Sequence, residues 1–414
     1  MKFFAASFDL SILATSSILA MGIISCNSTG KQKKDEEKRD ALAASSNAVK
    51  YQLVTEAIKS PVQLAVAPGN TDRLFISDLS GRIFILQNGQ LSPKPFIDVS
   101  SKLEQKDTTA AMRAIFSMAF HPDFATNKKF YICYNAPASD TADKCKLMIS
   151  EFRASSKNPN IADPSSEREV LEADGSTVGV DGCQIAFGPD GYLYIAIGDN
   201  GTPLEKREAQ HLNSFLGKLL RIDVNKTPYA IPADNPFGRD KNVRPEIWSY
   251  GLRRLWRFSF DPQTHLLFGA DIGDKTEEEI DIIQKGGNYG WPIKEGDSLA
   301  VKNTTADTSK FVTPINTYTH KDGICVIGGN VYHGKELPFL KDEYVFADLN
   351  GSLFSLNKNQ NQKWVRQTIK LLNPPAGHFS IFSLDKDKNN ELYVLGVLNT
   401  NAGSKGVVYK LVHS

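Results

Sequence analysis

Gly182-Cys183-Gln184-Ile185-Ala186-Phe187-Gly188-Pro189-Asp190-Gly191-Tyr192-Leu193-Tyr194-Ile195-Ala196-Ile197-Gly198-Asp199-Asn200-Gly201 is the stretch that decides the fold. Its first half alternates up to Phe187, the chain reverses at Gly-Pro-Asp-Gly, and alternation resumes to Ile197. That pattern predicts two short antiparallel strands around a tight turn. The second strand runs out into Gly198-Asp199-Asn200-Gly201, a loop of the kind that carries chemistry on a rigid β scaffold.

The hairpin recurs. Asp72 to Leu86, with Ser80-Gly81 at its turn, and Glu343 to Leu356, with Asn350-Gly351 at its turn, have the same form. Glu391 to Leu395 followed by Gly406 to Leu411 is a looser copy. No long amphipathic helix interrupts them. The one candidate, Leu204 to Phe215, reads equally as a helix or as an insertion lying over one face. One small sheet buries little by itself, so such repetition points to blades closed around an axis, with a β-sandwich as the competing architecture. The fold expected is all-β, a six-bladed β-propeller with long loops over residues 50–414, at four strands and roughly 40 to 50 residues or more per blade.

With 41% apolar and 23% charged residues, the 414-residue chain has the composition of a globular protein with a large core. A net charge of +1 gives no electrostatic reason to expect a nucleic-acid partner.

The N-terminus reads as a separate segment. An apolar run from about Leu10 to Ile24 meets Ser25-Cys26, the arrangement of a lipoprotein signal, so residues 1–25 are expected to be a signal peptide and Cys26 the lipidated residue. An ordinary signal peptide is the alternative, and the run is short and rich in Ser and Ala for a membrane span. Residues 26–49, with the charged run Lys31 to Asp40, read as a disordered polar tether. The expectation is export and lipid anchoring to a bacterial membrane, periplasmic or at the cell surface. Export permits disulfides. A hairpin would bring Cys133 and Cys145 together, although Cys133, Cys145, Cys183 and Cys325 allow three pairings.

Seven strings come in fixed order: Ala119-Phe120-His121-Pro122-Asp123-Phe124, Phe187 to Ile195, Leu216 to Asp223, Tyr229 to Phe237, Pro245 to Arg253, Glu278-Glu279-Ile280, and Gly286-Gly287-Asn288-Tyr289-Gly290-Trp291-Pro292. In them the chain resembles the glucose/sorbosone dehydrogenase family from about Tyr51 to Leu411. The resemblance implies a six-bladed propeller that oxidises aldose sugars with pyrroloquinoline quinone and calcium, passing electrons to an external acceptor. It also implies that Arg253 stabilises charge on the reduced cofactor. The carbonyls of Gly273 and Asp274 would face the cofactor calcium, and Glu279 with the Tyr289 carbonyl would bind a structural one. A solvated acidic turn is the bland reading of Glu277-Glu278-Glu279.

Three positions depart from the family pattern. The proton-accepting His is replaced by Val180, a cofactor-contacting Asn by Arg254, and a cofactor-contacting Gln by Arg113. The basic residues that clamp the quinone carboxylates are also missing from Asp348 to Gly351 and Phe379 to Phe382. Asp181, next to Val180, and His320 are the candidate substitute bases, while His121 reads as structural. Two functions follow: a quinone-dependent sugar dehydrogenase whose activity Val180 argues against, or a redox-inactive propeller that binds a carbohydrate or protein ligand.

Overall fold

The structure is a computed structural model and describes residues 47–69, 72–103, 114–137, 145–174, 184–199 and 207–414. The expectations for the signal peptide, Cys26, Arg113, Val180, Asp181 and Cys183 lie outside the described residues.

The chain folds as an all-β six-bladed propeller. The opening hairpin forms as read: Ile185–Phe187 pairs antiparallel with Leu193–Ile197. Gly191 closes the turn at φ +79°, a conformation natural to glycine, and Asp190 stiffens it by accepting a hydrogen bond from the Tyr194 hydroxyl at 2.9 Å. Lys218–Ile222 and Ile247–Tyr250 complete this third blade.

The other blades repeat the four-strand meander. The first holds Pro61–Val66, Arg73–Asp78, Arg82–Gln87 and Gln90–Leu91, and the second Ile115–Phe120, Lys129–Pro137, Cys145–Ala154 and Ala162–Asp174. The fourth holds Leu255–Phe260, Leu267–Asp271, Glu277–Ile282 and Asn316–Thr319, and the fifth Val326–Val331, Tyr344–Asp348, Leu353–Lys358 and Trp364–Thr368. The sixth is built from both ends of the chain. His378–Lys386, Leu392–Thr400 and Gly403–His413 are covered on the outside by Ala48–Thr55, antiparallel to the last strand, and Lys370–Leu371 adds a parallel pair to Ala48 and Val49.

Polar side chains on the innermost strands fasten each blade to the next. Gln63 accepts from Met118 N at 2.6 Å, Ser117 accepts from Ile185 N at 3.0 Å, and Gln184 both accepts from Phe258 N at 2.7 Å and donates to its carbonyl at 2.9 Å. Asn330 donates to Leu384 O at 3.0 Å, and Asp385 accepts from Leu64 N at 2.7 Å, closing the circle from blade six to blade one. Between blades four and five Glu278 accepts from Val326 N at 2.9 Å, and the fit is also close, for a Cβ on Gly328 would lie 2.9 Å from that of Ala270. Arg257 crosses the axis, donating to Val62 O at 2.7 Å and Phe116 O at 3.3 Å in blades one and two. Around this polar hub the main apolar core draws on every blade, with Val62, Phe116, Ile185, Phe268, Val326 and Ile381 among its members.

Two expectations are corrected and one open alternative is decided. The tether was placed through residue 49, but Ala48 and Val49 are fully buried in the closing strand, because their side chains complete the sixth blade. Of the two readings of Leu204 to Phe215, the described part, residues 207–215, takes the non-helical one and runs as turns. Cys133 is disulfide-bonded, but not to Cys145, whose thiol stays reduced. The strands do pair, yet Cys145 faces Pro137 while Cys133 faces Ile149. That is an offset of roughly 13 Å along the strand, beyond the reach of a disulfide.

Candidate functional site

Because successive strands of a blade are antiparallel, the described loops after the second strands and those leading into the next blade emerge on one face. The candidate residues gather there. Asp199 follows the second strand of blade three, and Arg253 and Arg254 lie in the link to blade four. Gly273 and Asp274 follow the second strand of blade four, and His320 and Cys325 lie in the link to blade five.

Arg253 is the hub. Its backbone N–H donates to Asp271 Oδ2 at 2.7 Å, and its guanidinium donates to Ile272 O at 2.9 Å, Gly273 O at 2.5 Å and Asp274 Oδ1 at 2.9 Å. The loop that receives it is held from below by Glu295. One carboxylate oxygen of Glu295 accepts from the N–H groups of Asp274, Lys275 and Thr276 at 2.7 to 2.8 Å. Burial would raise the Glu295 pKa, but these backbone donors outweigh it and hold the group below its ordinary range. Gly273 is required at its position, since a Cβ would fall 1.7 Å from the Glu277 carbonyl oxygen.

Asp199 ties three loops together. Its backbone N–H donates to Arg253 O at 2.8 Å, and its carboxylate accepts from Glu208 N at 2.8 Å and from the Trp291 indole at 2.9 Å. Burial pushes its pKa up. Beneath it the fully buried Lys218 donates to the carbonyls of Glu208, Ala209 and Leu216 at 3.0, 2.9 and 2.6 Å. Burial brings the Lys218 pKa down to about 7, against the pull of Asp199.

His320 is exposed, and its Nε2 lies 3.0 Å from Glu278 Oε1. Glu278 is fully buried and also accepts from Val326 N at 2.9 Å and Gly273 N at 3.2 Å, which joins His320 to the loop that holds Arg253. Desolvation, reinforced by the charges of Glu278 and Asp348, pushes the Cys325 thiol above its ordinary range. Arg254 and Arg253 act on the same thiol in the opposite sense, so the cluster is continuous.

The calcium expectations divide. Of the two carbonyls expected to face calcium, that of Gly273 accepts from the Arg253 guanidinium, which also binds the Asp274 carboxylate, so a divalent cation there would stand against a fixed positive charge. This arrangement does not fit a calcium-bound quinone. The second set fits better. Asp271 and Glu279 face each other across the blade-four ladder, and Asp281 lies two residues on, so all three share one face. Both carboxylate oxygens of Asp281 are buried without a hydrogen-bond partner. Burial and their neighbours' charges push Glu279 and Asp281 well above the carboxylate range and Asp271 up to about 6. Tyr289 packs beside them, its own pKa raised by burial and then by Asp281. Buried oxygens of this kind suit a hard cation. Among the described residues no three His, Cys, Asp or Glu side chains converge as a metal cluster.

The acidic run is not a solvated turn: Glu278 and Glu279 are buried on a strand whose two faces are both covered. His121 is structural as expected, its Nδ1 accepting from Asp123 N at 3.0 Å at the opposite face. Sequence reasoning missed Glu278 as the partner of His320. It also missed the pairing of Asp199 with Trp291, although both residues lie in stretches it had singled out.

The profile of the Glucose / Sorbosone dehydrogenase family matches residues 58–401. The HIPL1 protein of Arabidopsis thaliana is 32% identical over 356 residues, covering 69% of this chain and 50% of that protein. Hedgehog-interacting protein of Mus musculus is 26% identical over 404 residues, covering 92% of this chain and 55% of that protein. The chain thus spans about half the length of these curated relatives. The apo-form of the soluble aldose sugar dehydrogenase from Escherichia coli shares the fold, with a TM-score of 0.71 at 23% identity over 88% of this chain and 100% of that one. Since the family profile runs through all six blades, the chain belongs to the glucose/sorbosone dehydrogenase family.

Proposed function

We propose that this chain is a carbohydrate-binding propeller of the family that does not carry out quinone-linked sugar oxidation. The carrying observation is Arg253, whose guanidinium is spent on the Gly273 carbonyl and the Asp274 carboxylate where the family pattern puts a calcium-bound cofactor. Val180 at the base position supports the same reading, because valine accepts no proton. General-base catalysis is worth about 10²- to 10⁴-fold, so its loss alone leaves a slow enzyme, and loss of the cofactor seat removes the rest. Lipid attachment at Cys26 and export remain part of the proposal, supported by the apolar run that ends at Ser25-Cys26.

The test is dye reduction by purified protein with pyrroloquinoline quinone and calcium in excess. Little or no reduction with glucose or other aldoses is expected, alongside measurable sugar binding by calorimetry, and Val180→His alone should leave the protein inactive. Rapid sugar oxidation would overturn the reading.

One observation favours the second reading, a working sugar dehydrogenase. The Glu278–His320 pair is a buried carboxylate holding an exposed imidazole, an arrangement suited to a general base. Under that reading His320 accepts the proton of the sugar hydroxyl, and His320→Ala abolishes whatever oxidation is seen.

A further inference from the structure

We propose that Arg207, resting on the indole of Trp291 beside Arg253, is the receptor for a ligand carboxylate, so that the site takes acidic sugars of the uronate type ahead of neutral aldoses. This rests on the carbohydrate-binding reading above.

The platform is rigid. Trp291 is buried and pinned through its indole N–H to Asp199, and two guanidiniums lie over its ring, that of Arg207 at 4.9 Å and that of Arg253 at 5.4 Å from the centroid. Cation–π attraction holds each in place, but the two cations repel each other. Their partners differ. Arg253 spends its terminal N–H groups on two carbonyls and a carboxylate, whereas Arg207 makes no hydrogen bond or ion pair with any described residue. Its Nε is shielded from solvent and unpartnered, while the side chain as a whole is only half-buried.

The nearby carboxylates of Asp199 and Asp274 act on it through their charge without a hydrogen bond. Both oxygens of Asp199 are engaged, by Glu208 N and Trp291, and Asp274 is bonded to Arg253. Arg207 is therefore a fork of donors held over the indole, with partial access and no hydrogen-bond partner among the described residues. A planar carboxylate matches such a fork with two parallel charge-assisted hydrogen bonds and also relieves the repulsion between the two arginines. Burial disfavours the Arg207 cation, the charges of Asp199 and Asp274 offset part of that cost, and the Arg253 charge adds to it, so an arriving anion relieves what remains.

The experiment is calorimetric titration of the intact protein with glucuronate, glucose and inorganic sulfate, repeated on Arg207→Gln and Arg207→Lys. Glucuronate is expected to bind roughly tenfold to a hundredfold more tightly than glucose. Arg207→Gln should bring glucuronate down to the level of glucose, and Arg207→Lys, which keeps the charge but not the fork, should retain only part of the preference. Equal binding of both sugars by the unmodified protein, or a preference that survives Arg207→Gln, overturns the acidic subsite and leaves carbohydrate binding standing. Sulfate competing as well as glucuronate reduces the site to a bare anion receptor and overturns the sugar assignment. Failure of both sugars to bind removes this proposal together with the reading it rests on. If Arg207→Gln lowers the thermal midpoint, the Lys variant decides.

Discussion

Lys218 places a cation on three carbonyls inside the third blade, and burial brings its pKa down to about 7. From about pH 7 to about pH 10 the unfolded chain therefore holds a proton that the folded chain lacks. The contribution of this group to stability rises with pH across that window, by at most about 1.4 kcal/mol per unit, and the cost of burying the cation is fully present below it. Urea unfolding between about pH 7 and 8.5 should show that slope in the unmodified protein and lose it in Lys218→Met. An equal slope in both would assign the dependence to another group. The same local reasoning explains what the sequence revealed at single positions. Arg253 was identifiable from its motif, but its partners were not, since the Gly273 carbonyl, read as a calcium ligand, accepts from the arginine itself.

At the scale of elements, turns were the most legible feature, because Gly188 to Gly191, Gly81 and Gly351 announce reversals through residues that act locally. Pairings between distant strands were not legible, and neither was the burial of Glu278 and Glu279. A strand pressed between neighbouring blades hides both faces, and composition alone makes three successive glutamates look solvated. The fourth-blade hairpin yields a prediction. The unpartnered Asp281 carboxylate beside Glu279 is costly when buried, and calcium bound by these groups stabilises the fold by mass action. Millimolar calcium should raise the melting temperature of the unmodified protein, and Asp281→Asn should shrink that shift. An unchanged melting temperature on adding calcium or chelator would remove the metal from this hairpin and leave the propeller intact.

At the scale of the whole molecule, the ring closes because Ala48–Thr55 lies along Gly403–His413, joining the two ends of the chain. Truncation through Thr55 should strip the sixth blade of its outer strand, expose the edge of Gly403–His413 and lower the melting temperature steeply, with aggregation as the visible result. A truncation ending at Asn47 should melt like the full chain, and matching behaviour of the two truncations would mean that closure contributes little. The direction of that clasp has a mechanical side. Tension applied through residue 47 runs lengthwise along the closing strand, so its ladder with the last strand is loaded in shear, all bonds sharing the force at once. A propeller held to a surface by that end would resist drag at its strongest seam. It would fail by sudden rupture of the whole ring instead of gradual fraying.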